Sequence, residues 1–108
     1  MQVKTSELTG SALDWAVAKC EDNGGVWCVS DGDVVPFTPS TDWAQGGPII
    51  ERERISLGDV GIVNWKASVN KADMYAVTHY GDTPLIAAMR CYVASKLGDN
   101  VDIPHSLA

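Results

Sequence analysis

The chain has little basic charge and few of the residues from which catalytic or metal centres are assembled. Lys and Arg number 8 against 14 Asp and Glu, a net charge of −6 at neutral pH. A protein that tracks nucleic-acid phosphates needs a basic face. The nearest thing to one here, Glu51-Arg52-Glu53-Arg54, neutralises itself, which argues against nucleic acid as a partner. Histidine occurs only as His79 and His105, and the 3 cysteines (Cys20, Cys28, Cys91) are scattered without a C-x-x-C spacing. That argues against a zinc site and suits free, buried thiols in a reducing compartment. No metal and no cofactor are expected. No apolar run is long enough to cross a bilayer, and the opening MQVKTSELTG has no apolar signal core, so a cytoplasmic protein is expected. The serine-hydrolase elbow, the P-loop, the H-E-x-x-H helix and the dinucleotide fingerprint are all missing. Nothing assembles a nucleophile, a base and an orienting partner, and the expectation is a protein that is not an enzyme.

What is there reads as one ordinary globular domain over residues 1–108, with 45% hydrophobic and 20% charged residues. Thr9 stands as N-cap of a first helix over about 9–22, with Leu8 placed to staple onto Leu13. Leu13, Ala16, Val17 and Cys20 recur at helical spacing, and Asn23-Gly24-Gly25 ends the pattern. Val26 to Val29 reads as a short strand closed by Asp31-Gly32-Asp33. Ile49-Ile50 and Ile55-Ser56-Leu57 read as strand ends. Gly61 to Val69 alternates, with Val63, Trp65, Ala67 and Val69 on one face. A turn at Asn70 to Asp73 leads to a partner strand over Met74 to Tyr80. Thr83 and Pro84 open a last helix over about 83–97, and Gly98 stops it. The fold class expected is α+β: a small antiparallel sheet packed by two helices, with a structured loop at about 37–48. The last helix is apolar nearly all round, so it is covered on more than one side. A second subunit is expected to supply part of that cover, making a homo-oligomer; the alternative is a helix sandwiched between the sheet and the first helix.

The most distinctive side chains stand in FTPSTDWAQGGPIIERE, from Phe37 to Glu53. Pro36 and Pro39 stiffen its entry, and Gly46-Gly47-Pro48 lets the backbone approach something closely. Between them lie Ser40, Thr41, Asp42, Trp43 and Gln45. An indole that stacks, a carboxylate for ribose hydroxyls and glycine amides for phosphate suit a nucleoside-like ligand. The plainer alternative is that Ser-Thr-Asp caps a single helical turn and Trp43 covers the edge of the core.

Arg90, the only charge between Pro84 and Ser95, needs an acid, a carbonyl or an anionic ligand. Asp42, Glu51, Glu53 and Asp82 are the acids considered for an ion pair. Trp15 faces away from the apolar stripe of the first helix, which fits a packing surface, a subunit interface or a stacking platform.

Three blocks carry a family resemblance: KTSELTGSALDWAVAK (Lys4 to Lys19), PSTDWAQGGPIIERERI (Pro39 to Ile55) and GDTPLIAAMRCYVASKLGDNVDIP (Gly81 to Pro104). Together they cover more than half the chain, and they resemble the NinX proteins, small products of the accessory nin region of lambda-like phages and prophages. The resemblance implies a phage accessory protein in the cytoplasm of its bacterial host, and it brings context but no chemistry.

Two functions are expected as alternatives. In the first, the protein is non-enzymatic and binds, and possibly sequesters, a small nucleotide-type ligand. An ADP-ribose derivative or a cyclic nucleotide immune signal is that ligand, and Ser40, Thr41, Asp42, Trp43, Gln45, Gly46, Gly47 and Arg90 form the site. In the second, it is a protein–protein adaptor in phage DNA metabolism or recombination, with Trp15 at the interface and no small-molecule ligand.

Overall fold

The computed structural model describes residues 1–21, 27–30, 33–61, 64–71 and 75–107. The class is α+β as read, but the described residues contain three α-helices where two were expected. In order the elements are β1 (Gln2–Lys4), α1 (Gly10–Cys20), β2 (Trp27–Ser30), β3 (Asp33–Pro36), α2 (Trp43–Glu53), β4 (Ser56–Asp59), β5 (Trp65–Lys71), β6 (Tyr75–Gly81), α3 (Pro84–Leu97) and β7 (Asn100–Asp102). Short 3-10 turns at Thr5–Glu7 and His105–Leu107 precede α1 and follow β7. The strands form a β4-β5-β6 sheet, a β2-β3 hairpin and a β1-β7 pair, all antiparallel.

Helix α3 is the centre of the molecule. Thr83 caps it, its hydroxyl accepting the Ile86 N–H at 3.1 Å, and Pro84 opens it. Gly98, at φ 88°, ends it in the conformation that glycine adopts without strain. One side of α3 lies on β5 and β6, and others meet α1 and α2. The small side chains Ala87, Cys91 and Ala94 are buried with the rest. The apolar surround of α3 is thus used within one chain, by the sandwich between sheet and first helix.

The sheet alternates as its sequence requires. Ala67 is fully buried, and Trp65, Val69 and Val77 pack against the core, while Lys66, Asn70 and Tyr80 face out. In α1, Ala12, Leu13, Ala16 and Val17 are buried. Leu8 and Leu13 lie in the same core cluster, in keeping with the staple. The glycines Gly24 and Gly25 and the turn residues Asp31, Gly32, Ala72 and Asp73 fall outside the described residues, as do Val26, Val63 and Met74.

The segment expected as a loop over 37–48 is corrected in its second half, and Ile49-Ile50 are helical, not a strand end. Helix α2 runs straight through Gly46, Gly47 and Pro48. Each glycine costs such a helix about 1 kcal/mol and an interior proline about 3, so the compensation must be local and tertiary. Asp42 caps the first turn, its carboxylate accepting the Ala44 N–H at 2.9 Å. At the other end Arg54 takes the left-handed conformation (φ 56°), and the Ile55 N–H reaches back to the Ile50 carbonyl at 3.0 Å, the closure typical of a Schellman end.

Candidate functional site

Each side chain of the Pro39–Gly47 segment has a definite place. Ser40 is buried, and its backbone N–H donates to the Asp14 carboxylate on α1 at 2.9 Å. Burial raises the Asp14 pKa above its ordinary value, against the lowering effect of Ser40. The Ser40 hydroxyl lies near that carboxylate but makes no hydrogen bond of good geometry. Gln45 is a two-sided clamp: its carbonyl accepts the Thr38 N–H, and its amide donates to the Pro36 carbonyl at 2.9 Å. Gly46 is where α2 touches the rest of the fold. A Cβ there would lie 2.5 Å from the Pro39 carbonyl oxygen and 2.6 Å from Leu85 Cδ2. Thr41 is exposed, and Trp43 is 53% exposed, so the indole does not cover the core edge.

Arg90 is partly buried and satisfied by main chain. Its Nε donates to the Leu8 carbonyl and its Nη1 to the Tyr80 carbonyl, both at 2.8 Å. None of the four acids considered for it forms an ion pair with it among the described residues, and Asp82 acts only at longer range. Desolvation lowers its pKa. Ser40, Asp42, Gln45 and Arg90 therefore each have a bond or a burial that serves the fold. The carboxylate of Asp42 works at the α2 cap, whereas Arg90 ties α3 to the end of β6 and to Leu8, two residues before α1.

A concave site occurs elsewhere, under Trp15. It is an open cleft of about 380 Å³ lined by Met1, Trp15, Lys19, Asp102, Ile103, Pro104 and His105. Trp15 is half-buried against the core, and Lys19, one turn further along α1, holds its ammonium 5.3 Å from the indole centroid, a cation–π distance. In the same cleft the amino-terminal ammonium meets the Asp102 carboxylate at 2.9 Å and the Ile103 carbonyl at 3.1 Å. The cleft thus combines an aromatic wall, cations, a carboxylate and an imidazole in a chain that is acidic overall.

A polar cluster joins the three helices at the opposite end of α2. Arg52 grips the Glu21 carboxylate with both Nη atoms, at 2.9 and 2.6 Å, and sends its Nε to Glu53 at 2.9 Å. The Tyr92 hydroxyl donates to Glu21 in a short hydrogen bond and accepts from Arg52 Nη2 at 3.1 Å. Lys96 completes the group, 3.5 Å from Glu53. Arg52 is the leading cause that holds the Glu21 and Glu53 pKa values below the ordinary 4.5. Burial, with Glu21 beside it, pushes Tyr92 well up.

The model of a bacteriophage family, described as Bacteriophage P22, NinX, matches residues 4–96. The chain belongs to the NinX family. No curated protein matches it. The NinX match includes the Pro39–Gly47 segment, Arg90 and the Trp15–Lys19 side of the cleft, and ends before Asp102 to His105. Family membership is in keeping with a phage accessory protein.

In this NinX chain, reading the sequence missed the Asp14–Ser40 tie and the Glu21–Tyr92 bond. A buried aspartate on an otherwise apolar helix face was a usable signal for the first. The second joins residues 71 positions apart, and neither residue marks the other. Trp15 was noticed as an off-core aromatic, but the residues that share its cleft come from a tail that showed no pattern.

Proposed function

We propose that this NinX protein is a non-enzymatic accessory protein that binds a small nucleotide-type ligand in the cleft beneath Trp15. The observation that carries this reading is the pairing of an indole wall with the Lys19 ammonium in a concavity of about 380 Å³, within the range of small-ligand sites. An aromatic face suits a base and a cation suits a phosphate. The His105 imidazole lines the same cleft, as does the Asp102 carboxylate, which is paired with the amino-terminal ammonium. ADP-ribose derivatives and cyclic nucleotides are the ligand classes of this reading, with sequestration of an immune signal as the role. The Pro39–Gly47 residues weigh less in it, because the Asp42 carboxylate and both ends of the Gln45 amide already serve the fold and Ser40 is buried.

A thermal-shift series with AMP, ADP-ribose and cyclic dinucleotides tests the proposal. A ligand at 100 times its Kd stabilises by about 2.7 kcal/mol, a rise of roughly ten degrees for a domain of this size. Lys19→Glu, at an exposed position, should abolish the shift without unfolding the protein, and Trp43→Ala should leave it intact. A flat panel with folded protein free of copurified ligand, or a shift that survives Lys19→Glu, removes the cleft from consideration.

A further inference from the structure

Strand β6 is an edge of the three-stranded sheet, with β5 on one side and no strand on the other among the described residues. The hydrogen-bond phase of the sheet fixes which of its main-chain groups face outward. The Val60 N–H donates to the Asn64 carbonyl at 3.3 Å, just beyond the Asp59–Trp65 pair. A residue of an antiparallel strand turns its N–H and C=O to the same side, and its neighbours turn theirs to the other. Asn64, Lys66 and Ser68 therefore bond towards β4. Trp65, Ala67, Val69 and Lys71 bond towards β6, where they meet Gly81, His79, Val77 and Tyr75. That leaves the N–H and C=O of Ala76, Thr78 and Tyr80 pointing off the sheet. Arg90 Nη1 donates to the Tyr80 carbonyl at 2.8 Å, as an outward-facing carbonyl allows. The other main-chain groups of these three residues have no partner among the described residues.

We propose that this edge pairs with the β6 edge of a second copy of the chain, antiparallel about a two-fold axis at Thr78. Main-chain donors and acceptors repeating every second residue fit one kind of occupant, another extended strand. Natural sheets guard such edges with shortness, charge, proline or a bulge. The opposite edge is guarded: β4 is 4 residues long and ends in the exposed Asp59. The 7 residues of β6, YAVTHYG, hold no Lys, Arg, Asp, Glu or Pro and pair with β5 in unbroken register. A second copy is the occupant because an antiparallel edge is its own complement. With Thr78 on the axis, the Thr78 N–H of each copy meets the Thr78 carbonyl of the other, and Ala76 faces Tyr80 in both directions. Tyr80, 51% exposed on the outer face, then lies beside a small alanine of the other copy. Two chains of charge −6 repel each other, and a strand without carboxylates keeps that charge out of the contact. The assembly is one continuous sheet with 3 strands from each copy. It uses neither α3 nor the cleft under Trp15, so its test is independent of that site.

Sedimentation equilibrium of the full chain, with amide exchange followed by NMR, tests the pairing. The expected result is a dimer in which the Ala76, Thr78 and Tyr80 amides exchange slowly. Thr78→Lys and Thr78→Glu each set like charges across the axis, and each alone should raise the dimer Kd tenfold or more. Those outward amides should then exchange fast, while the Val77 and His79 amides, bonded to β5, stay slow and show that the sheet is intact. Mixing the two variants should restore a heterodimer. Ser68→Ala removes the group that the Thr78 hydroxyl meets at 3.0 Å, and should leave the dimer unchanged. Ala76→Pro, at an exposed position, deletes an outward N–H and no bond to β5, so it carries the test should the Thr78 variants not fold. Three outcomes overturn the proposal: a wild-type chain that stays monomeric, a dimer that survives Thr78→Lys or Ala76→Pro, or folded monomeric Lys and Glu variants that do not combine.

Discussion

Tyr92, in the middle of α3, gives its hydroxyl proton to Glu21, at the end of α1, while Arg52 of α2 bonds both of them. Three helices that share little sequence proximity are thereby tied at one point. Hydrogen bonds to charged groups are worth about 1.5–3 kcal/mol, and Tyr92 is 2% exposed. Tyr92→Phe should lower stability in urea by about 1–2 kcal/mol on that scale. A double-mutant cycle with Glu21→Gln should return a coupling of at least about 0.5 kcal/mol. Additive losses would show that the bond contributes nothing to stability.

The same cluster sets an acid response. Glu21 and Glu53 have pKa values lowered in the folded protein, chiefly by Arg52, and burial lowers that of His79 below its ordinary 6.5. For each, the unfolded chain takes up a proton before the folded one does. Their stabilisation is therefore present above the unfolded pKa and is lost as pH falls. Thermal melts should decline first as pH drops below about 6.5 and again, more steeply, below about 4.5. His79→Gln should remove the first decline and leave the second. Asp14 runs the other way: its raised pKa adds a contribution that fades as pH rises through the folded value.

Neighbouring glycines of α2 should respond oppositely to alanine. At Gly46 the new methyl meets the Pro39 carbonyl at 2.5 Å and Leu85 at 2.6 Å, and overpacking of this kind costs about 1–3 kcal/mol. At Gly47 the nearest atom is 4.0 Å away, so Gly47→Ala should gain about 0.5–1 kcal/mol of helix propensity. Chemical denaturation of the two variants decides the matter. Equal effects would mean that α2 is not seated on Leu85.

A similar contrast holds where the Pro39–Ser40 corner docks on α1. Asp14→Ala strands the buried Ser40 N–H, and should cost about 1–3 kcal/mol. Ser40→Ala removes a hydroxyl that has no well-made bond, and should change stability by less than about 0.5 kcal/mol. A large loss from Ser40→Ala would reveal a bond from that hydroxyl to Asp14 in solution.

These contrasts also mark what could be read without coordinates. Helix α3 was legible to the residue, because Thr83, Pro84 and Gly98 act through local chemistry that tolerates few alternatives. The hairpin of β5 and β6 was legible through its period of two. Helix α2 was not, since Gly46, Gly47 and Pro48 all argue against it locally. Its support comes from Gln45, Arg52 and the seat on Leu85, contacts between distant parts of the chain. The Asp42 cap was visible as an alternative, but not that ten further residues would follow Trp43 in the helix. Among the candidate site residues, Gly46 makes the close approach expected of the Gly-Gly-Pro run and Gly47 does not. The use of the polar ones was hidden, because a carboxylate that caps a helix and one that holds a ribose look the same in sequence.

The antiparallel pairing of β1 with β7 sets Gln2 opposite Asp102 and Val3 opposite Val101. Closing so long a span of chain carries a large entropic toll, and such contacts form slowly compared with local helices and hairpins. The Asp102 to His105 wall of the cleft follows directly from β7, and so stands only once that late closure has occurred. A helix presenting Trp15 and Lys19 can exist early on the folding route, yet it faces half a cleft until β1 and β7 pair. Occupancy of the cleft would then report completed folding, and any ligand held there would act as a latch on the final step.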